Sequence, residues 1–408
     1  MKPLRVIYIC TTFPKLSEQF IQREVDGLRG LALNLEIISL WGGDRLYKGI
    51  PIRTFPKIQL LHLIWTLPWA IIRQPASLLN TLGKFFSGKP PSALNFFETL
   101  LGYGYALVSW VSIKKDPPDL VHGIWATSPV SAAYFLNSLT GVPYSMGAHA
   151  FDVFEDGGDW HLKEKLDRAR MVHSSSQNTA QQLIRWGADP EKVKVIRRGL
   201  TEFPKFKPLR KNRRPIRIVS VGRLVEKKGF FYQLDIYKAL KQNGVPYLAR
   251  LVGSGDLDVP LRDYRDKSGL HNDVEFWGQL TFDAVQKQLF WADLFLFTGR
   301  ISSKGDRDGL PNVIGESMAH GVVVLTTEVG ATTEAVRDQE TGLVLPADDV
   351  EAWVAVVDLL MRDDQRMEYL RTNGREWVEE NFDAHKNSKQ LLNAFHFAVG
   401  GGDEPPSA

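Results

Sequence analysis

Short β-branched and apolar runs alternate with helical patterns along almost the whole chain, in two successive series. That alternation is the strongest constraint on the fold, because strand, helix and returning strand close up as a parallel sheet with helices on its faces. In the first series Arg5–Cys10 (RVIYIC), Leu35–Leu40 (LEIISL), Asp119–Trp125 (DLVHGIW), Pro143–His149 (PYSMGAH), Met171–Ser175 and Lys192–Ile196 read as strands. Ser17 is placed to cap a helix whose Ile21, Val25 and Leu28 recur at the helical spacing. Another helix opens at Ser128-Pro129 and closes at Gly141, the usual proline-first, glycine-last asymmetry. The second series holds Ile216–Val221, Tyr247–Val252, Asp273–Phe276, Leu294–Phe297, Val322–Thr326 and Leu343–Leu345. Between the two, Leu200 to Pro215 is rich in Pro, Lys and Arg and follows neither period, which marks a linker.

At 408 residues the chain is too long for one typical core. The expected fold class is α/β, with two doubly wound parallel-sheet (Rossmann-like) domains facing a cleft. The first spans residues 1–200 with an insertion over about 45–115, and the second spans 201–385. Residues 386–408 are expected to form a C-terminal helix, returning to the first domain, and a disordered Gly/Pro-rich tail.

The net charge of +3 is too small to point to nucleic acid as a partner. Cys10 is the one cysteine, so neither a disulfide framework nor a thiolate zinc site is available, which fits a reducing compartment. Met1-Lys2-Pro3-Leu4-Arg5 runs straight into a short strand, unlike a secretory leader, so the expected location is cytoplasmic. The insertion departs from the average composition. Between Arg45 and Lys115 the only acid is Glu98, while Trp65, Trp69, Phe85, Phe86, Phe96, Phe97 and Trp110 are interleaved with nine Lys and Arg residues. The apolar run Ile58 to Ile72 contains Pro68 and is shorter than a spanning helix, and no long span is expected in the insertion. Two readings stand: a buried helical insertion, or a basic, tryptophan-bearing surface that touches anionic membrane peripherally on the inner face.

Ligands of doubly wound sheets bind at the carboxyl ends of strands, so motifs there carry the functional argument. Val221-Gly222-Arg223-Leu224-Val225-Glu226-Lys227-Lys228-Gly229 follows the first strand of the second series. Gly222 lets a ligand approach the backbone, and Arg223 and Lys228 offer a bidentate and a point cation suited to phosphate. Glu226 and Lys227 read as a solvated part of that loop. Further on, Asp308-Gly309-Leu310-Pro311-Asn312 leads into a helix that Gly321 ends, with Glu316 one turn beyond Asn312 on the same face. Backbone donors at such a start can meet an anion or sugar hydroxyls, and a carboxylate at Glu316 can accept from a ribose. Solvated acids are the plain alternative for Asp308 and Glu316. Together with Arg223 and Lys228, the set suits a nucleotide diphosphate joined to a sugar.

Asp256-Leu257-Asp258 has the spacing of a metal-binding acid pair, but it follows Gly253-Ser254-Gly255 after a strand, where helix capping is the better reading. Gly253-x-Gly255-x-x-Asp258 is an incomplete dinucleotide fingerprint. His122 and His149 end strands of the first series; each is either a packed side chain or a group facing the cleft, and no zinc site is expected.

With these motifs in place, the chain resembles the retaining glycosyltransferases of family 4, which have the GT-B fold. The resemblance rests on Val221–Gly229, Leu251–Gly255 (LVGSG), Val274–Gly278 (VEFWG), Asp308–Gly321 (DGLPNVIGESMAHG), Val329–Val336 (VGATTEAV) and Thr341–Leu345 (TGLVL). In the first half Thr12–Val25, His122 and Met146–Phe154 resemble members that build bacterial exopolysaccharides and lipid-linked glycans. The resemblance implies a UDP- or GDP-linked sugar as donor and no cofactor or metal. Arg223 and Lys228 would neutralise the leaving diphosphate, Glu316 would hold the ribose, and Asp308 with the backbone of Gly309, Leu310, Pro311 and Asn312 would hold the sugar. Gly222, Gly253 and Trp277 would complete the donor site. His149 would contact the sugar from the first domain and help stabilise charge at the reacting centre. The acceptor, a glycan or a polyprenyl-diphosphate-linked glycan, would lie against the first domain near Lys15, Ser17, Glu18, His122 and Asp152. Asp308 replaces the more usual glutamate and is one methylene shorter, and Gly330-Ala331 replaces the usual Gly-Gly. A non-hydrolysing nucleotide-sugar epimerase and a catalytically idle donor- or lipid-binding partner are the alternatives.

Overall fold

The computed structural model describes residues 3–15, 18–85 and 88–400, with the backbone alone at 81, 82, 84 and 85. Ser17, Phe86 and the tail beyond Gly400 lie outside the described residues. The chain forms two compact units, one holding residues up to Arg198 together with those from Ala384 onward, the other Gly199–Asp383.

Eight strands build the first unit's sheet: β1 Leu4–Cys10, β2 Leu33–Ser39, β3 Leu46–Tyr47, β4 Ile50–Thr54, β5 Leu120–Gly123, β6 Tyr144–Gly147, β7 Met171–Ser174 and β8 Val193–Val195. Their order is β3-β4-β2-β1-β5-β6-β7-β8, parallel except for the β3–β4 hairpin. Side chains alternate between the two faces of a strand. Accordingly Ile7 and Ile9 of β1 join one core with Tyr134 and Phe135, while Val6, Tyr8 and Cys10 join another with Val25, Leu391 and Phe395. The last two belong to the helix Ala384–Gly400, so the end of the described chain seals one face of the first sheet.

The second unit has β9 Ile216–Val221, β10 Tyr247–Val252, β11 Val274–Gly278, β12 Leu294–Phe297, β13 Val323–Thr326 and β14 Leu343–Val344. All pair in parallel, in the order β11-β10-β9-β12-β13-β14. Leu294 and Leu296 enter one core and Phe295 and Phe297 the other, so β12 is buried on both faces. The strand order reverses at β9 and β12, which makes the gap beyond their carboxyl ends the topological switch point of this sheet.

The insertion divides into two kinds of helix, and neither reading of it holds throughout. In Leu63–Arg73 only Ala70 is buried, and Ile64, Trp65 and Ile72 are 63%, 73% and 70% exposed. The helix Ala93–Lys115 is long and apolar enough to cross a membrane by length and composition alone, at 23 residues. More than half of its most apolar stretch is buried, and it lies along Ser128–Thr140, with Tyr103 against Phe135 at 4.7 Å. It serves as a core helix of the first unit.

Candidate active site

In the second unit, three strand-end loops are laced together. The loop after β9 pairs with that after β10 through Gly222 N–H to Val252 O (3.0 Å) and Leu224 N–H to Ser254 O (2.9 Å). Gly229 has φ +68°, and a β-carbon there would sit 1.8 Å from the carbonyl oxygen of Thr298, just past β12. Only glycine allows that approach without strain. Thr298 Oγ1 donates to Gly229 O (2.9 Å), and Arg300 N–H donates to Lys227 O (2.9 Å). Glu226 accepts from the amide and hydroxyl of Ser303, both at 2.9 Å. The turn carrying the cations is thereby fixed to the loop carrying the acids.

The result is a charged cluster at the switch point. Lys228 Nζ lies 2.7 Å from Asp308 Oδ2. Lys227 Nζ lies 2.8 Å from Asp306 Oδ2 and 3.6 Å from Asp308 Oδ1. Arg223 is exposed and close enough to act on both Lys228 and Asp308. Burial works to raise the Asp308 carboxyl, but Lys228, Lys227 and Arg223 together hold it below the usual carboxylate range. Burial draws the Lys228 ammonium down, against the pull of Asp308. Gly330, at φ +58°, brings its backbone under this loop, since a β-carbon there would lie 1.9 Å from Asp308 O.

The helix Asn312–Ala319 starts behind Pro311, which stands at the cap position rather than in the first turn. Gly309 and Pro311 are buried, Leu310 half-buried. Glu316 is buried within the helix, and Oδ1 of Asn312 is buried with no hydrogen-bond partner among the described residues. An unsatisfied acceptor at a helix start beside a cation cluster is the mark of a polar ligand site.

Several sequence expectations change here. Lys227 is no solvated loop residue: it is 5% exposed and ion-paired, and neither it nor Asp306 was singled out from the sequence. The tight turn Glu226–Lys228 is what aims both lysines inward. Asp258 does not cap its helix with its side chain; it opens Asp258–Lys267 and pairs with Arg262 at 2.7 Å. Trp277 is engaged on the edge strand, donating to Glu275 (2.9 Å) under the Arg250 guanidinium (4.5 Å). Gly253 meets the Gly222 backbone, and its own N–H donates to Gly278 O (2.8 Å).

In the first unit, Lys15 pairs with Glu18 at 2.8 Å on the surface. The buried carboxylate of Asp152 accepts from the amides of Ala126 (3.1 Å), His149 (3.1 Å) and Ala150 (2.9 Å). It thus ties the loops after β5 and β6 together. His122 is packed, its Nδ1 2.8 Å from Ser145 Oγ and its ring against Tyr8 and Phe395. His149 stands edge-on to Trp125 at 5.3 Å and to His173 at 4.9 Å, and its Nδ1 has no partner among the described residues. Burial, with Arg198 nearby, holds the His149 imidazole well below its ordinary range, so it is neutral.

Residues 202–377 match the family model described as glycosyl transferases group 1, and residues 86–199 match a glycosyl transferase 4-like domain. A putative colanic acid biosynthesis glycosyltransferase, WcaL of Salmonella typhimurium, is 30% identical, over 95% of this chain and 98% of its own length. The chain belongs to the group 1 glycosyltransferases. This glycosyltransferase is also 26% identical to the amylovoran biosynthesis glycosyltransferase AmsK of Erwinia amylovora, over 95% of this chain and 98% of that one. It shares its fold with Anabaena HepE, solved in complex with UDP and glucose: the TM-score is 0.65 at 16% identity, over 95% of this chain and 98% of that one. The fold is GT-B, two parallel-sheet α/β domains.

Proposed function

We propose that this glycosyltransferase moves a sugar from a UDP- or GDP-sugar, with retention and without a metal, onto a glycan or polyprenyl-diphosphate-linked acceptor in cell-surface polysaccharide synthesis. The observation that carries the reading is the cluster of Lys228, Lys227 and Arg223 with Asp308 at the switch point of the second sheet. As the bond from sugar to diphosphate breaks, negative charge grows on the diphosphate. Preorganised cations aimed at that charge are the largest catalytic contribution such a site can make. Arg223 and Lys228 are the groups for it, with Lys227 fixing Asp308. Glu316 would hold the ribose, and Asp308 and the loop Gly309–Pro311 the donor sugar. His149, being neutral, would act through hydrogen bonding rather than charge. The named roles of AmsK and WcaL in amylovoran and colanic acid synthesis, and HepE's UDP, favour this substrate class.

The exposed Ile64, Trp65 and Ile72 support peripheral contact with anionic lipid at the inner face of the plasma membrane. On the same helix Trp69 lies under Arg73 at 4.7 Å, so an aromatic ring and a cation are paired there.

The test incubates the purified chain with a panel of UDP- and GDP-sugars, with and without EDTA, and measures nucleotide release. Slow release from one donor, indifferent to EDTA and lost in Lys228→Ala, is the expected result. Isomerised nucleotide sugar without release would replace the reading by an epimerase, and donor binding with no release even with lipid acceptors would replace it by an idle partner.

A further inference from the structure

The first unit carries a cation of its own. Arg198 follows β8, and its guanidinium lies 3.4 Å from the centre of the Phe20 ring and 6.0 Å from that of Trp125. Phe20 and Trp125 themselves meet edge to face at 5.9 Å. Phe20 comes from the helix that follows β1, and Trp125 from the loop that follows β5. The first sheet reverses its order between β1 and β5, so this aromatic pair marks the switch point of the first unit. The backbone at Arg198 is held from the last helix, where Asn387 Nδ2 donates to its carbonyl at 3.1 Å.

Arg198 is half-buried and makes no ion pair with a carboxylate among the described residues. Glu24, Glu18 and Asp152 act on it through space, Glu24 most strongly, and the Glu24 carboxyl is itself bonded to the Tyr8 hydroxyl. A partly desolvated guanidinium that no carboxylate touches directly gains when an anion reaches it. Stacking on aromatic rings leaves its in-plane N–H fork free, the geometry that takes a phosphate or carboxylate through two hydrogen bonds. Beyond Trp125, His149 presents an unpartnered, buried Nδ1.

We propose that Arg198, seated on Phe20 and Trp125, is an oxyanion site on the first unit that binds a negatively charged group of the acceptor. This rests on the transferase reading above for the word acceptor, but the anion site itself does not. The shared chemistry is an oxyanion, either the phosphate of a diphosphate-linked acceptor or the carboxylate of an acidic sugar.

The experiment uses the full chain carrying Arg223→Ala and Lys228→Ala, which silences the donor cations. It is titrated separately with inorganic pyrophosphate and with glucuronate, by calorimetry and by tryptophan fluorescence, with no donor present. At least one anion should bind, and the added Arg198→Gln should weaken that binding tenfold or more. Arg198→Lys, which keeps the charge but loses the fork, should fall between. Thermal unfolding of each variant checks folding. Pyrophosphate selectivity assigns the phosphate source, and glucuronate selectivity the acidic sugar. Binding unaffected by Arg198→Gln in a folded protein, or no binding of either anion before that change, overturns the proposal. Because no turnover is read, a chain that consumed no donor would still pass or fail this test on its own terms.

Discussion

Lys228 Nζ stands 2.7 Å from Asp308 Oδ2, so a cation suited to a diphosphate is already held by a carboxylate from a different strand end. An incoming diphosphate must share or displace that partner. Asp308→Asn should therefore tighten the binding of the free nucleoside diphosphate several-fold while lowering transfer. Calorimetry against UDP and GDP, set beside donor turnover, reads both halves, and unchanged affinity would show that the pair does not compete with the ligand.

Lys228→Ala and Glu316→Ala should each lower donor turnover, the first by about 100-fold or more, the scale on which a preorganised charge contact is lost. Glu316→Ala should leave the melting temperature near that of the parent. Retained turnover in a folded Glu316→Ala protein would remove the ribose assignment.

Lys227 is the structural counterpart of its neighbour. Its ammonium sits 2.8 Å from Asp306 and 3.6 Å from Asp308, almost wholly out of solvent. Lys227→Met would leave Asp306 without its cation and Asp308 with Lys228 alone, and we expect a loss of about 2–4 kcal/mol, the lower end reflecting the partial exposure of Asp306. Adding Asp306→Asn should recover part of it. Denaturant unfolding of the two single variants and the double variant measures this coupling.

His173 contributes a pH dependence whose sign is fixed. Burial lowers it from 6.5 to about 4, so between those values the unfolded chain binds more protons than the folded one. Its contribution is fully present above pH 6.5 and declines as pH falls toward 4, by about 3 kcal/mol in all. Denaturant unfolding across this window should show a smaller acid loss in His173→Asn than in the parent.

For the exposed insertion helix, Trp65→Ser with Ile72→Ser should abolish sedimentation with anionic vesicles at low salt, and raised salt should weaken it in the parent. Equal sedimentation of parent and variant would place the lipid contact elsewhere.

Most strands of both sheets were legible because they are bounded by period and by glycine or proline: Ile216–Val221 and Leu294–Phe297 fall at the residues read from the sequence, whereas β3 and β4 lie within the stretch read as an insertion. Arg223, Lys228 and Asp308 were legible as a set because each follows a strand. Lys227 was not, since only the tight turn Glu226–Lys228 decides which of two adjacent lysines turns inward, and both do. What holds Asp152, which only the resemblance places near the acceptor, was hidden for a similar reason. Its three amide donors come from loops after two different strands, and nothing in the local pattern announces that they meet. Composition also cannot separate the exposed Leu63–Arg73 from the core helix Ala93–Lys115, because both are apolar and aromatic; what differs is whether another helix lies alongside.

The helix Ala384–Gly400 has a further consequence. Because Leu391 and Phe395 complete the core that contains Tyr8 and Val25, the second unit is spliced into the first as an uninterrupted stretch, Gly199–Asp383. On the proposed donor site, that stretch is the piece to exchange with a relative's in order to change the donor. The first unit admits no such cut, for a chain stopped at Arg198 would leave the apolar underside of its own sheet wet.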